Sequence, residues 1–441
     1  MRSSIDETFA EIPFDPGDAG AALRQMPRSS AVFALYGADG RAEPYIGRTP
    51  NLRARLARLL QPSDKHPRRL QLAGRVRRIK WRLTGSEFES LLLQFELLQS
   101  QYGPKALERM HLRAPAFVRF LGSNSYPRVT VTNRPSLREA GWSYGPFPSR
   151  VAAERYAEEA LKLFLLRRCT DDLDPNPSNP GCVYSEMKMC LAPCYKGCTD
   201  ERYAEEAAAV ENFLATRGEG RLVRLRTERD EASARLGFEQ AAELHAHVQK
   251  VEQVRALASE LVRPLSQLRA AILQPATSAD EVAVFLFEEG RLRGPAAFST
   301  LGMRIQNEQS GSSSLYAQPM ALEPVPEKHG SGTTGPEQTN QAGESAEARS
   351  TARPKLARGA LEARMEAALA ALTEADATPS STVRQGHLAL LKRWYYRPEV
   401  KRAGEIFFPD AESNWPIKAL LRGAGRVAGK MLATPGAQDC C

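Results

Sequence analysis

Apolar residues along this 441-residue chain fall into two rhythms. Ala31 to Tyr36 is a short run of β-formers, and a second run, Tyr45-Ile46-Gly47, follows the turn-forming Gly37-Ala38-Asp39-Gly40. The pair predicts a β-hairpin over 29–47. The period then lengthens: Leu52, Leu56, Leu59 and Leu60 share one face of a helix predicted to start with Thr49 as N-cap and Pro50 in its first turn. At about 100° per residue Arg55 falls on the edge of that stripe, while Arg53 and Arg58 point away. The stretch 76–83 alternates as a third strand, and 86–103 returns to helical period with Leu91, Leu92, Phe95 and Leu98 on one face and Gln94 on its flank. Ser86 and Glu89 fit a capping box there. These elements make a small α/β domain at 28–105, behind an N-terminal extension at 1–27.

Residues 151–168 are amphipathic and lead into a cysteine-rich stretch, so 106–200 is read as one region. Two helical stretches, roughly 201–235 and 238–258, joined at Leu236-Gly237, predict an antiparallel hairpin over 201–258. A strand pair at 281–298 lies in a short β-containing region, 259–307. From 308 to 354 the chain is rich in Ser, Gly, Thr, Glu, Gln and Pro, the composition of a disordered linker. A helical and aromatic tail, 355–441, includes HLALLKRWYYRPEVKRAGEIFFPD at 387–410. The whole is an α+β, multidomain chain.

Composition narrows the function classes. The apolar fraction is 42%, and no stretch reaches the ~20 apolar residues of a membrane span, so no membrane partner is expected. The acidic N-terminus lacks the apolar core of a secretory signal, and a cytoplasmic location is expected. The net charge of +8 is concentrated: twelve Lys or Arg stand between Arg48 and Arg82 against one acid, Asp64. Such a block favours a polyanion such as DNA, because each phosphate contact releases condensed counterions; a solvated basic face is the plainer alternative. Five of the seven cysteines lie between Cys169 and Cys198. The spacing Cys169, Cys182, Cys190, Cys194 suits either tetrahedral Zn or a four-iron, four-sulfur (4Fe-4S) cluster, with Cys198 a spare ligand. Free structural thiols are the remaining alternative.

The order of the parts carries more than any one of them. A hairpin with YIG, a basic helix, an ESLLL helix, SYPRVTVT at 125–132, YGPFPS at 144–149, the Cys cluster and FEQAAEL at 238–244 recur together. That order resembles the N-terminal half of the UvrC family, nuclease subunits of bacterial nucleotide excision repair, over residues 28 to about 300. The resemblance implies a GIY-YIG endonuclease domain using Mg, a 4Fe-4S cluster on the four cysteines, and a UVR helical hairpin that binds a UvrB-like partner. The ribonuclease-H half and helix-hairpin-helix modules of that family find no counterpart in the sequence.

By position, Tyr45 matches the YIG tyrosine near the attacking water and Arg55 the arginine facing the scissile phosphate. Arg48, Arg53 and Arg58 are candidate DNA contacts. Gln94 stands where the family's metal-binding Glu belongs, and Mg prefers anionic oxygen to a neutral amide. Glu96, two residues on, is the alternative ligand but faces about 200° away. Phe33 replaces the first motif's Tyr, and Leu59 the family's aromatic or His. Phe238, Glu239, Ala241 and Ala242 match the UVR pattern, with Phe238 expected to plug the helix pair's packed end; His245-Ala246 departs from it. Three functions follow: an active excision endonuclease, a repair protein that binds DNA and UvrB over a degenerate nuclease site, or a redox-sensing iron-sulfur DNA-binding regulator.

Overall fold

The computed structural model describes residues 8–39, 42–61, 72–136, 138–301, 303, 358–373 and 379–433. The linker read at 308–354, the basic residues of 62–71, and Cys440 and Cys441 lie outside the described residues. Among those described, no helix is long and apolar enough to cross a membrane.

The first unit holds β1 (Ala10–Pro13), α1 (Ala19–Gln25), β2 (Ala31–Gly37), β3 (Tyr45–Thr49), α2 (Leu52–Leu60), β4 (Val76–Leu83) and α3 (Glu87–Tyr102). Its sheet runs β1-β4-β2-β3, antiparallel throughout. The hairpin and third strand stand where the sequence places them. The N-terminal extension does not hang free, because β1 pairs with the basic strand β4, setting Glu11 opposite Lys80. Helix α2 also starts later than expected: Asn51, not Thr49, caps it by accepting from the Ala54 N–H. Thr49 instead lies in β3, its hydroxyl bonded to the backbone of Asn51. The stripe Leu52, Leu56, Leu59 and Leu60 is fully buried against Phe33, Leu35 and Ile79.

The middle unit carries α4 (Ala106–Arg109), β5 (Ala116–Phe120), β6 (Val129–Thr132), β7 (Ser143–Phe147), α5 (Arg150–Leu161), α6 (Val183–Glu186) and α7 (Asp200–Ala215). The helical stretch read as 201–235 is two helices. It breaks at Arg217 and Gly218, both with positive φ, and α8 (Glu219–Ala234) begins afresh. A Cβ on Gly218 would stand 2.8 Å from the Phe213 ring, so only glycine turns there without strain. Helix α7 belongs to the middle core through Tyr203, Val210 and Phe213. The hairpin proper is α8 with α9 (Phe238–Ala256), and β8 (Arg263–Pro264) closes the second sheet, β6-β5-β7-β8.

The third unit joins two segments that the sequence separated. Strands β9 (Ala270–Pro275), β10 (Glu281–Glu288) and β11 (Arg291–Ser299) form a meander, and after α10 (Arg358–Thr373) and α11 (Ser381–Tyr395) the tail contributes β12 (Glu405–Phe407) to the same sheet, beside β9, before α12 (Ile417–Ala433). The region 259–307 and the tail are therefore one domain; their pairing partners are over 100 residues apart, a separation no local pattern reveals.

Helix α3 is the joint between units. Leu93 and Leu97 cover Val32 and Ile46 of the first sheet, while Phe88, Leu91, Leu92 and Phe95 enter the core of the third unit with Phe285 and Leu388. Two apolar faces make it a buried helix, not an amphipathic surface one. At Gly386 of α11 a Cβ would fall 2.0 Å from Phe95 Cζ, so the two helices meet at van der Waals distance. The end of α11 then reaches every unit. Trp394 lies 5.4 Å from Phe88, and its Nε1 donates to the Ala403 carbonyl at 2.9 Å. The Tyr396 hydroxyl bonds the Pro146 carbonyl and the Ser259 hydroxyl. Arg397 grips both oxygens of Glu87, at 2.7 and 2.9 Å.

Candidate functional site

Strand alternation sorts the YIG stretch. Tyr45 and Gly47 face α2, while Ile46 and Arg48 face α3. Arg55 Nη2 donates to Tyr45 Oη at 3.0 Å, so the two residues matched by position meet. Gly47 explains its own place: opposite Phe33 in register, any Cβ there would lie 2.9 Å from the Phe33 Cζ. That close approach lets the buried Phe33 ring lie 6.1 Å from the Tyr45 ring. A tyrosine hydroxyl at position 33 would need a partner in the core, and phenylalanine needs none.

Gln94 is half-buried on α3, two turns beyond Glu87 on the same stripe. Glu87 is already engaged by Arg48 at 3.4 Å and by Arg397, and the Arg397 bond holds its carboxyl below the usual range. Glu96 looks the other way. It lines a crevice with Arg82, Glu89, Leu92 and Phe285, under Pro295 of the third unit. Burial pushes its pKa up to about 7 in spite of Arg82 and Arg291 nearby. Glu89 is likewise raised by burial, and its carboxylate accepts from the Gly85 N–H at 2.8 Å. Half of the expected capping box therefore forms, Ser86 accepting from the Glu89 N–H, while Glu89 reaches one residue further back.

The candidate DNA contacts divide. Arg53 is spent on the carbonyls of Met26 and Arg24, at 2.6 and 2.8 Å, where α1 ends. Arg48 is paired with Glu87, and Arg58 is exposed, its Nε bonded only to the Ala54 carbonyl at 3.3 Å. Cations on β4 point to the α3 side of the sheet instead. Arg78 stacks 4.7 Å from the Tyr36 ring with Lys80 beside it.

Four of the cysteines share one neighbourhood. The thiol of Cys190 is pushed up to about 11 by burial first, then by the charges of Cys169, Cys182 and Cys194. Cys198 contributes nothing there and sits beside Asp200 and Tyr126. Hydrogen bonds already point at two sulfurs: the Ala192 N–H at 3.3 Å from Cys190 Sγ, and Arg167 Nη1 at 3.6 Å from Cys169 Sγ. Among the described residues, however, no three His, Cys, Asp or Glu side chains are gathered at metal-holding geometry. Arg167 is a residue the sequence reading missed. It is buried and binds the Tyr126 and Asp171 carbonyls, pinning the loop that starts the cluster. Its neighbour Arg168 has the same chemistry in the sequence, and only the fold separates them.

At the tip of the α8–α9 hairpin, Leu236 and Phe238 are 73% and 65% exposed. Phe238 does not plug the packed end; near the tip Ala232 is buried, and Leu225, Val248 and Val251 are buried further toward the hairpin's base in the middle core. Phe238, Glu239 and Ala242 are exposed, while Ala241 is half-buried.

Two family models match the chain: the UvrC-like GIY-YIG domain over residues 30–105 and the UvrC/Cho excinuclease middle domain over 117–213. Among curated proteins, the chain is similar to the UvrABC system protein C of Alcanivorax borkumensis, 30% identical over 233 residues, 53% of this chain and 38% of that protein. The proteins of the same name from Pseudomonas protegens and Pseudomonas fluorescens are each 29% identical, over 55% and 54% of this chain and 39% of theirs. The match thus spans about two fifths of these relatives' length. No solved structure matches.

Proposed function

We propose that this chain, which carries a UvrC-like GIY-YIG domain and a UvrC/Cho excinuclease middle domain, acts in excision repair as a protein that binds DNA and a UvrB-like partner over a nuclease site lacking its metal carboxylate. The observation that carries the reading is the contrast at α3. Tyr45 and Arg55 keep a bonded pair, Gln94 occupies the ligand position, and the nearest substitute, Glu96, is turned into the crevice under Pro295.

Phosphodiester cleavage needs an activated nucleophile, charge stabilisation at the phosphate and, in this enzyme class, a metal. Tyr45 and Arg55 supply the first two roles: Arg55 holds the phenol oxygen in place and keeps cation density beside the position of a phosphate. Mg would supply Lewis acidity there, and an amide at position 94 does not fit it. Binding survives such a loss, since backbone contacts need only cations and shape. Gln94→Glu is expected to create Mg-dependent nicking of adducted duplex in the presence of UvrA and UvrB, where the unaltered chain gives none. Nicking by the unaltered chain that Tyr45→Phe abolishes would overturn the reading.

The exposed Leu236 and Phe238 support partner docking at the hairpin, because an apolar tip is what a protein interface covers. Phe238→Ser is expected to weaken capture of UvrB at least tenfold in a pull-down titration without altering DNA affinity. The neighbourhood around Cys190 supports an iron-sulfur centre held by Cys169, Cys182, Cys190 and Cys194. Backbone and arginine donors aimed at sulfur suit a thiolate-ligated cluster. Anaerobic purification is expected to yield iron and acid-labile sulfide, lost in Cys190→Ser; zinc without sulfide would favour the tetrahedral alternative.

A further inference from the structure

The tail motif WYYRPEVKR, 394–402, lies outside the nuclease reading, and the fold brings it against the α7–α8 turn of the middle unit. Between residues 387 and 402 five Lys or Arg accompany one acid, Glu399. A row of cations and rings stands here. The Arg402 guanidinium lies 5.3 Å from the Tyr395 ring, its Nη1 bonded to the Tyr395 carbonyl. Arg263 lies 4.3 Å over the Phe408 ring, its Nε bonded to the Glu260 carbonyl. Arg217 completes the set with a buried Nε that finds no hydrogen-bond partner. Its charge reaches Arg263, whose pKa is lowered by burial first and then by Arg217, with Glu260 opposing.

Close by along the chain, Arg255 is paired with Glu219 and Arg226 with Glu252. Among the described residues none of Arg217, Arg263 and Arg402 forms a salt bridge. These like charges sit together with no carboxylate in salt-bridge contact, Glu260 bearing on Arg263 only at longer range, and an anion would relieve their repulsion. Tyr395 and Phe408 are half-buried, packed against the third unit's core, and each has a guanidinium over its ring.

We propose that this row binds a single DNA strand, with Tyr395 and Phe408 as platforms for unpaired bases and Arg217, Arg263 and Arg402 on the intervening phosphates. Partly exposed rings can be reached by splayed bases, not by those stacked in a duplex. The proposal rests on the DNA-binding reading above and adds a second contact area, separate from Tyr45 and Arg55.

The test is fluorescence anisotropy with the full chain, titrated into a labelled oligo-dT of about a dozen nucleotides, an abasic strand of equal length and a blunt duplex. The unaltered chain is expected to bind oligo-dT more tightly than the abasic strand. Tyr395→Leu and Phe408→Leu, which keep apolar packing, are each expected to weaken oligo-dT binding about tenfold. Arg263→Gln should reduce the magnitude of the salt slope by about 0.7. Duplex affinity should stay unchanged in all three. Equal affinity for the oligo-dT and abasic strands, or unchanged strand binding in the variants beside normal duplex binding, would overturn the platform alone. Failure of the unaltered chain to bind either strand or duplex would overturn the DNA reading together with it.

Discussion

Single positions in this chain carry opposite demands from chemistry and packing. Gly47 is required by the Phe33 ring 2.9 Å from where its Cβ would be, so Gly47→Ala should lower stability by about 1–3 kcal/mol in urea unfolding. An unchanged midpoint would show that the ring can yield. Glu96 presents the other kind of demand, a carboxyl raised to about 7 by burial. Between its ordinary value of 4.5 and about 7 the folded state holds the proton that the unfolded state releases. Stability conferred by that proton is complete below pH 4.5 and lost as pH rises through 7. Glu96→Gln, neutral at every pH, should therefore gain on the unaltered chain at pH 8 and show no gain at pH 4, read as urea midpoints. His387 runs in the opposite sense. Burial, with Arg291 adding, pushes it down to about 3, so its contribution is complete above pH 6.5 and lost as pH falls toward 3. It is present in both proteins and cancels from the comparison. A gain independent of pH would contradict a titrating Glu96.

Among the elements, α3 and α11 decide the architecture. Trp394 fills the joint against Phe88, and Trp394→Ala should cost about 3–5 kcal/mol. Arg397→Met, which cuts a half-exposed pair with Glu87, should cost under about 1 kcal/mol. If the two rank the other way, the joint is electrostatic and not apolar. How much of this was legible follows from range. The hairpin, the basic helix, the strand at 76–83 and the strand pair at 281–298 rest on local alternation and turn residues, and each stands close to its predicted bounds. Three things were not legible. The break at Arg217-Gly218 lies inside a stretch of helical period; Gly218 and Gly220 weaken a helix there without by themselves fixing a turn, and the Phe213 ring beside Gly218 makes it one. The joining of β12 to β9 is a pairing across more than 100 residues, and the second apolar face of α3 becomes meaningful only with that sheet in place. Of the candidate site, Tyr45 and Arg55 were placed by motif and meet in space. Arg53, chosen for pointing away from the stripe, instead caps α1, because an outward direction does not say which neighbour stands there.

At the scale of the molecule, three units share two joints, α3 and the end of α11, and the motifs sit on separate elements: Tyr45 with Arg55 on β3 and α2, the cysteines between α5 and α7, the hairpin tip between α8 and α9. On the proposed reading, this separation lets binding persist where the nuclease site lacks its carboxylate. The most direct test is strand cleavage of an end-labelled duplex with one bulky adduct, in UvrA, UvrB and Mg, comparing the unaltered chain with Gln94→Glu and Tyr45→Phe. The account predicts silence from the unaltered chain and Mg-dependent nicking from Gln94→Glu. Nicking by the unaltered chain that disappears in Tyr45→Phe would contradict it, and would mean that the site keeps a metal ligand other than Gln94.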